Sequence, residues 1–274
     1  PRIPQAFKAL KGDSRVFHHS QYLERMSRQP CVTGKPMRVA IIGGGQSAAE
    51  AFIELNDSYP SAQVDLILRG SALKPADDSP FVNEVFSPEF TDLMYNQSTV
   101  EREQMIVEYQ STNYSVVDID LIERIYGIFY RQKVSGIPRH GFRSLTYIDQ
   151  ASAGQDGIEL TLRSTANGEV TTRHYDAIIL ATGYERQMHR QLLAPLADYL
   201  GDYNVNRDYR VITDERCNAG IYMQGFCQAS HGLSDTLLSI LPIRAEEIAA
   251  SLYAHSKSGE RNRNALDLLL AAAS

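Results

Sequence analysis

Residues 37–57, MRVAIIGGGQSAAEAFIELND, decide how this chain folds. MRVAII is a short apolar run rich in β-branched residues, GGGQ allows a tight turn, and in SAAEAFIELND the apolar positions recur at helical spacing. After the turn signal Tyr59-Pro60-Ser61 comes VDLIL (64–68), a second apolar run. Strand, glycine turn, helix and strand together make a βαβ unit, and its right-handed crossover requires parallel strands.

The turn itself, Gly43-Gly44-Gly45-Gln46-Ser47-Ala48, is a GxGxxA variant lying directly between strand and helix. In that context Gly43 permits the tight turn, and Gly45 lets the backbone approach a pyrophosphate. Ala48 is small enough for helix–strand packing, and the helix N-terminus offers free N–H groups to the anion. Gln46 and Ser47 add polar donors. The end of the second strand selects the nucleotide: a carboxylate there suits the ribose of NAD, an arginine the 2′-phosphate of NADP. This strand ends in Arg69 with Lys74 nearby, which favours NADPH, the alternative being a solvated arginine.

Working outward, residues 71–90 read as loop because Pro75, Pro80 and Pro88 bias their predecessors away from helix. Residues 100–110 and 116–131 read as helices, the second with Val117, Leu121, Ile122, Ile125 and Ile128 on one face. The stretches 143–149, 157–163 and 169–174 alternate in polarity as a small antiparallel meander. Ala177–Ala181 is a buried strand ending at Thr182-Gly183, 186–200 is expected to be helical, and a last amphipathic helix starts near 231–235 and runs to about His255.

Composition bounds the function. The chain has 274 residues, 43% hydrophobic, with net charge −6 and scattered Lys and Arg, so it carries no electrostatic footprint for nucleic acid or an anionic membrane. No apolar run reaches the length of a bilayer span, and the first residues lack a signal peptide's apolar stretch, so a cytoplasmic protein is expected. Cys31, Cys217 and Cys227 form no CxxC pair and are odd in number, which fits reduced thiols and no metal site. The chain opens on Pro1 and on irregular sequence, as expected of a piece cut from a longer protein.

Three further stretches carry polar groups. DDSPFVNEVF (77–86) presents Asn83 among apolar neighbours, and TNYSVV (112–117) places Thr112, Asn113 and Ser115 just before a helix. Either asparagine can orient an amino acid or simply serve as a turn or cap residue. HGLSDTLLS (231–239) is a polar turn feeding a helix, where Ser234 or Asp235 is also a candidate N-cap and His231 either a base or a structural residue.

GGGQSAAEAF, DDSPFVNEVF, TNYSVVDIDLIERIY, ATGYERQ (181–187) and HGLSDTLLS occur in this order in the flavin-dependent ornithine N-hydroxylases. Over essentially its whole length the chain resembles that family, most closely the ornithine N(5)-monooxygenases of siderophore biosynthesis of the pyoverdine type, with lysine N(6)-hydroxylases as near neighbours. The resemblance implies FAD and NADPH as cofactors. Gly44, Gly45, Gln46, Ser47 and Arg69 would hold NADPH, assisted by Asn113, Tyr114 and Ser115. Asn83, Glu84, Val85, Phe86, Asn113 and Ser239 would contact L-ornithine, and Thr236, Leu237 and Leu238 would lie against FAD. It further implies O₂ as co-substrate, oxygen transfer to the neutral amine through a flavin hydroperoxide, and a homotetramer. No residue is assigned as a catalytic acid or base.

The family's N-terminal FAD-binding βαβ unit and its substrate-binding lysine are not among these 274 residues, so a non-catalytic NADPH-binding module is the alternative for the chain alone. The expected fold is α/β. Residues 36–76 and 132–183 would form a Rossmann-like NADPH-binding domain, with 77–131 as a mainly helical substrate-binding insert. Residues 1–35 would be the tail of the N-terminal FAD segment and 184–274 the C-terminal part of the FAD domain.

Overall fold

A computed structural model describes residues 1–272, with side chains to residue 256. The chain forms two compact units, one of residues 1–77 with 111–185, the other of 78–110 with 186–274.

The first unit is built on a five-stranded sheet in which every pairing is parallel. Its strands are β1 (Val16–His18), β2 (Met37–Ile42), β3 (Ala62–Ile67), β4 (Gly141–Arg143) and β8 (Ala177–Leu180), in the spatial order β1-β8-β2-β3-β4. The antiparallel meander is β5 (Thr146–Gly154), β6 (Gly157–Ser164) and β7 (Val170–Tyr175). The expected α/β, Rossmann-like fold is borne out.

Alternation along β2 explains why residues 39–42 are apolar at every position. Val39 and Ile41 pack with Ala48, Phe52, Leu55, Ile125 and Ile128 on the helical side. Ala40 and Ile42 pack with Ile158, Leu160, Leu162 and Phe7 on the meander side. Strand residues covered on both faces of the sheet form near-continuous hydrophobic runs. Helices Gln46–Ser58 and Ile119–Ser135 thus form one outer layer and the meander the other.

Where β4 meets the meander, Arg143 Nε and the Tyr175 hydroxyl both donate to Asp65 Oδ2 at 2.6 Å, so a strand carboxylate on β3 locks the two sheets together. Behind the helix Gln46–Ser58, Arg139 donates to the carbonyl oxygens of Tyr59 (2.8 Å), Asn56 (3.2 Å) and Ala62 (3.1 Å). His140 Nδ1 accepts from Val64 N (3.1 Å), which fills both its ring nitrogens with the Asn56 contact at Nε2 (3.1 Å).

Several boundaries differ from those expected, each for a local reason. The stretch 143–149 is not one strand: Leu145 takes φ +50°, so β4 joins the parallel sheet and β5 starts the meander. Residues 71–90 are not all loop. Pro80 and Pro88 open the short helix Pro80–Asn83 and the helix Pro88–Asn96, and Ser87 accepts from Phe90 N (3.2 Å) as N-cap. Proline disfavours helix in the residue before it but is well suited to the first helical position. The helix Thr99–Glu108 follows a full capping box of Ser98 and Glu101.

Of the stretch taken as a substrate-binding insert, helix Ile119–Ser135 packs within the first unit, whereas 78–110 lies in the second. Residues 186–200 form three short pieces, Met188–Leu192, Ala194–Leu196 and Ala197–Leu200, rather than one helix. The last helix runs Leu241–Ala272, starting later than expected because the preceding turn holds Gly232 at φ +83° and a 3₁₀ segment, Leu233–Thr236. The core of the second unit gathers Leu200, Val205, Tyr209, Val211, Met223, Cys227 and Ile248. All three cysteines are free. Among the described residues no helix is long and apolar enough to cross a membrane, and no acidic, His or Cys cluster suits a metal.

Candidate functional site

In the first unit the glycine turn sits at the C-terminal end of the parallel strands, where ligands of open α/β sheets bind. Gly43 has φ +151° and donates to Ile67 O (2.9 Å); a side chain there would collide with the Ala181 carbonyl. Gly45 is the N-cap of helix Gln46–Ser58 and carries no side-chain cap; its carbonyl accepts from Ala48 N (2.9 Å) and Ala49 N (3.2 Å), which leaves the Gln46 and Ser47 amides without intrahelical acceptors. A methyl group on Gly45 would lie 3.5 Å from the Cα of Ser115, which shows how closely the 112–118 loop covers the turn.

The turn opens into a cleft of about 560 Å³ lined by Gly43, Gly44, Leu68, Arg69, Lys74, Ser115, Tyr147 and Thr182, among others. Its lining includes three cations, Arg2, Arg69 and Lys74, and no carboxylate among the described residues, although the chain carries net charge −6. A cleft of that sign with exposed helix N–H groups suits a phosphorylated ligand.

The structure therefore brings together Gly43, Gly44, Gly45, Arg69 and Ser115, with Gln46 and Ser47 directly following the turn. Ser115 has φ +58°, a conformation unusual for a residue with a side chain. Gln46 is used differently from the sequence expectation. Its side chain donates to Asp118 Oδ2 (2.7 Å) and accepts from Asp118 N (2.9 Å), so its main-chain N–H is what remains for an anion. Asn113 is exposed on the same loop and Tyr114 half-buried.

In the second unit the 3₁₀ turn Glu84–Phe86 packs beside the 3₁₀ turn Leu233–Thr236, which places the expected substrate segment next to the expected flavin segment. Asn83 and Glu84 are exposed, Phe86 is half-buried, and Asn83 Nδ2 donates to Asp78 O (2.9 Å). Val85 is only 2% exposed, so its side chain belongs to the core and any contact it makes to a ligand is through the main chain. Thr236 and Leu237 are half-buried, while Leu238 is 80% exposed and Ser239 exposed.

A buried ion pair that sequence reasoning missed sets the shape of this turn. Arg244, on the last helix, donates to Asp235 Oδ1 (3.0 Å), to Asp235 O (2.6 Å) and to Leu237 O (3.4 Å). Asp235 also accepts from Cys227 N (2.7 Å) and Gly225 N (3.3 Å), so it knits the turn to residues 225–227 rather than capping a helix. The only sequence signal was an arginine among apolar residues in the first turns of a helix.

His231 is completely buried, with Nε2 at 3.0 Å from Arg207 O and Nδ1 at 2.8 Å from Ser230 Oγ, and it stacks on Tyr209 at 4.2 Å. Burial pushes it down to about 4, with the charges of Arg207 and Arg244 adding to the effect. Both ring nitrogens are engaged within the turn and burial lowers the ring's basicity, which favours the structural reading of His231 over a base. His140, buried in the first unit, is likewise pushed down to about 4 by desolvation, with Arg139 adding to it.

Unfolding returns each ring to its ordinary value near 6.5. The stabilisation from keeping each histidine neutral is therefore complete above about pH 6.5 and erodes as pH falls toward 4. Each is expected to cost about 2 kcal/mol by pH 5. Urea unfolding at pH 7 and pH 5 checks this, and equal midpoints would contradict it.

Known proteins share this architecture. The family model for L-lysine 6-monooxygenase/L-ornithine 5-monooxygenase matches residues 1–186. The chain is 71% identical over 263 residues to an L-ornithine N(5)-monooxygenase of Pseudomonas aeruginosa, covering 96% of this chain and 59% of that enzyme. It thus spans about three fifths of that relative's length. Among solved structures, the ornithine hydroxylase of Pseudomonas aeruginosa matches with TM-score 0.88 and 69% identity, over 93% of this chain and 60% of that one. The ornithine N-hydroxylase of Kutzneria sp. 744, described with reduced FAD, NADP⁺ and L-ornithine, matches with TM-score 0.86 and 34% identity, over 93% and 62%. With the glycine turn, the cationic cleft and the fixed 231–239 turn in place, this chain belongs to the L-lysine 6-monooxygenase/L-ornithine 5-monooxygenase family.

Proposed function

We propose that this chain supplies the NADPH-binding site and part of the ornithine and flavin contacts of an FAD- and NADPH-dependent L-ornithine N(5)-monooxygenase. It would act in the cytoplasm, with O₂ as co-substrate and a homotetramer as its assembly. The observation that carries this reading is the carboxylate-free cleft joining the glycine turn to Arg69, in a chain 71% identical to such an enzyme.

In this reading the main-chain amides after Gly45 hold the pyrophosphate, and Arg69 with Lys74 holds the 2′-phosphate. Asn113, Tyr114 and Ser115 line the same nucleotide. Asn83, Asn113 and Ser239 orient the amino acid, aided by Glu84–Phe86. Thr236–Leu238 offer the flavin an edge whose backbone Arg244 keeps fixed, with the exposed Leu238 side chain suited to an apolar ring. The flavin, when bound, supplies the oxygen chemistry.

The side-chain amine of ornithine has an ordinary pKa near 10.4 and must lose a proton before it can act as a nucleophile. His231 is not the acceptor, so the chain's polar groups serve to position the amine rather than to titrate. Lysine differs by one methylene, worth only about 1–3 kcal/mol in a pocket. The choice of ornithine is supported by 71% identity to an ornithine enzyme, against 30% to the L-lysine 6-monooxygenase of Pseudomonas syringae.

The test compares this chain with a version carrying the family's N-terminal FAD-binding segment, each supplied with FAD, NADPH and L-ornithine. The extended protein is expected to retain flavin after desalting and to form N(5)-hydroxyornithine, while the chain alone binds NADP⁺ and forms none. Product from neither ornithine nor lysine would refute the monooxygenase assignment.

A further inference from the structure

Asp118 occupies the N-cap position of helix Ile119–Ser135, yet its carboxylate makes no bond to that helix. A capping aspartate is normally stabilising there. Instead its Oδ2 accepts from Gln46 Nε2 at 2.7 Å, and its N–H donates to Gln46 Oε1 at 2.9 Å, a two-point match to the side-chain amide. Gln46 Nε2 also lies 3.2 Å from Glu50 Oε1. Gln46 is the first residue of the helix that starts at the glycine turn, so the match ties the 112–118 loop directly to that turn.

Ser115, three residues before Asp118, sits at φ +58°, and such a conformation persists only where the surroundings impose it. The loop is held on one side by Val117 N to Lys74 O (2.9 Å), Ala76 N to Val117 O (3.1 Å) and Asp77 N to Ser111 O (3.1 Å). The Gln46–Asp118 pair holds the other side. Between the two fastenings, Ser115 is pressed over Gly45 and lines the cleft.

We propose that Asp118 is a positioning residue: latched to Gln46, it keeps Ser115 over the glycine turn and so fixes the width of the dinucleotide cleft. Gln46 then serves the nucleotide through its main chain and through this latch, not as a side-chain phosphate donor. The proposal rests on the NADPH reading of the cleft.

Asp118→Ser separates latching from helix capping, because serine caps a helix well but is too short to reproduce the two-point match. Asp118→Asn keeps an acceptor for the Gln46 amide. In the 274-residue chain, Asp118→Ser and Gln46→Leu are each expected to raise the NADP⁺ Kd about five- to tenfold and to speed amide exchange at 113–117 by a similar factor. Exchange within 119–135 should stay unchanged. Asp118→Asn should remain within about twofold of wild type, and Asp118→Ser with Gln46→Leu together should fall short of the product of their separate effects.

Wild-type exchange and affinity in Asp118→Ser would overturn the latch. A wild-type chain that binds no NADP⁺ would overturn the nucleotide assignment, and the exchange comparison would still decide the latch by itself.

Discussion

Replacing Arg244 by alanine is expected to destabilise the second unit by about 3–5 kcal/mol, the usual cost of removing one partner from a buried ion pair. Arg244 is 2% exposed and Asp235 1%. The substitution would strand the carboxylate with only the N–H groups of Cys227 and Gly225, and it would leave the carbonyls of Asp235 and Leu237 without their donor. The guanidinium also lies 5.7 Å from the centre of the Tyr209 ring, which is fully buried, so lost packing adds to lost charge.

Desolvation already pushes the Asp235 carboxyl upward, with the backbone amides and Arg244 pulling it back. Without Arg244 the acid should take a proton more readily, so the deficit relative to wild type should narrow as pH falls. Asp235→Asn in the Arg244→Ala background should recover part of the loss. Urea unfolding followed by near-ultraviolet circular dichroism measures both, and a deficit under about 1 kcal/mol would show that the pair is not what fixes the turn.

Arg69→Ala is expected to weaken NADP⁺ about 30- to 100-fold and NAD⁺ less than about threefold, because truncating a charged partner of a phosphate costs about 2–3 kcal/mol. Arg69 follows the end of β3 and shares its cleft with Lys74 and no carboxylate among the described lining residues. The two remaining cations, Arg2 and Lys74, should preserve part of the preference, and the affinity of wild type for NADP⁺ should fall with salt more steeply than that of the variant. Titration calorimetry with both nucleotides decides the matter. An equal loss for NAD⁺ and NADP⁺ would mean that Arg69 supports the cleft without reading the extra phosphate.

What the sequence made legible was local. In 37–67 a buried strand, a glycine turn, a helix and a second strand each carry their own periodicity, and the structure reproduces them within a few residues. The meander was legible because its turns contain glycine, but the φ of Leu145 was not, and it divided one expected strand between two sheets. Prolines at 80 and 88 read as breakers but are helix openers, and only at 87 does a serine side chain mark the start by capping. The late start of the last helix hid for a related reason: Pro242 stands at its second position, and within the turn before it only Leu233–Thr236 coils, as a 3₁₀ segment.

Of the proposed site, the main-chain geometry at Gly43–Gly45 and the charge at a strand end, Arg69, were legible. Pairings across the fold were not. Gln46 with Asp118, 72 residues apart, and Arg244 with Asp235 are complementary only once packing has placed them, and no periodicity marks such partners.

The strand order has a consequence for how the polypeptide is made. Val16 in β1 pairs with Ile178 in β8, and β8 also closes the open side of β2. A nascent chain that has emerged only as far as Tyr175 therefore lacks the strand that pairs with both β1 and β2, and the edge of β2 that β8 covers is open, a template for pairing with other chains. Translation must deliver four more apolar residues, Ala177–Leu180, before that hazard disappears.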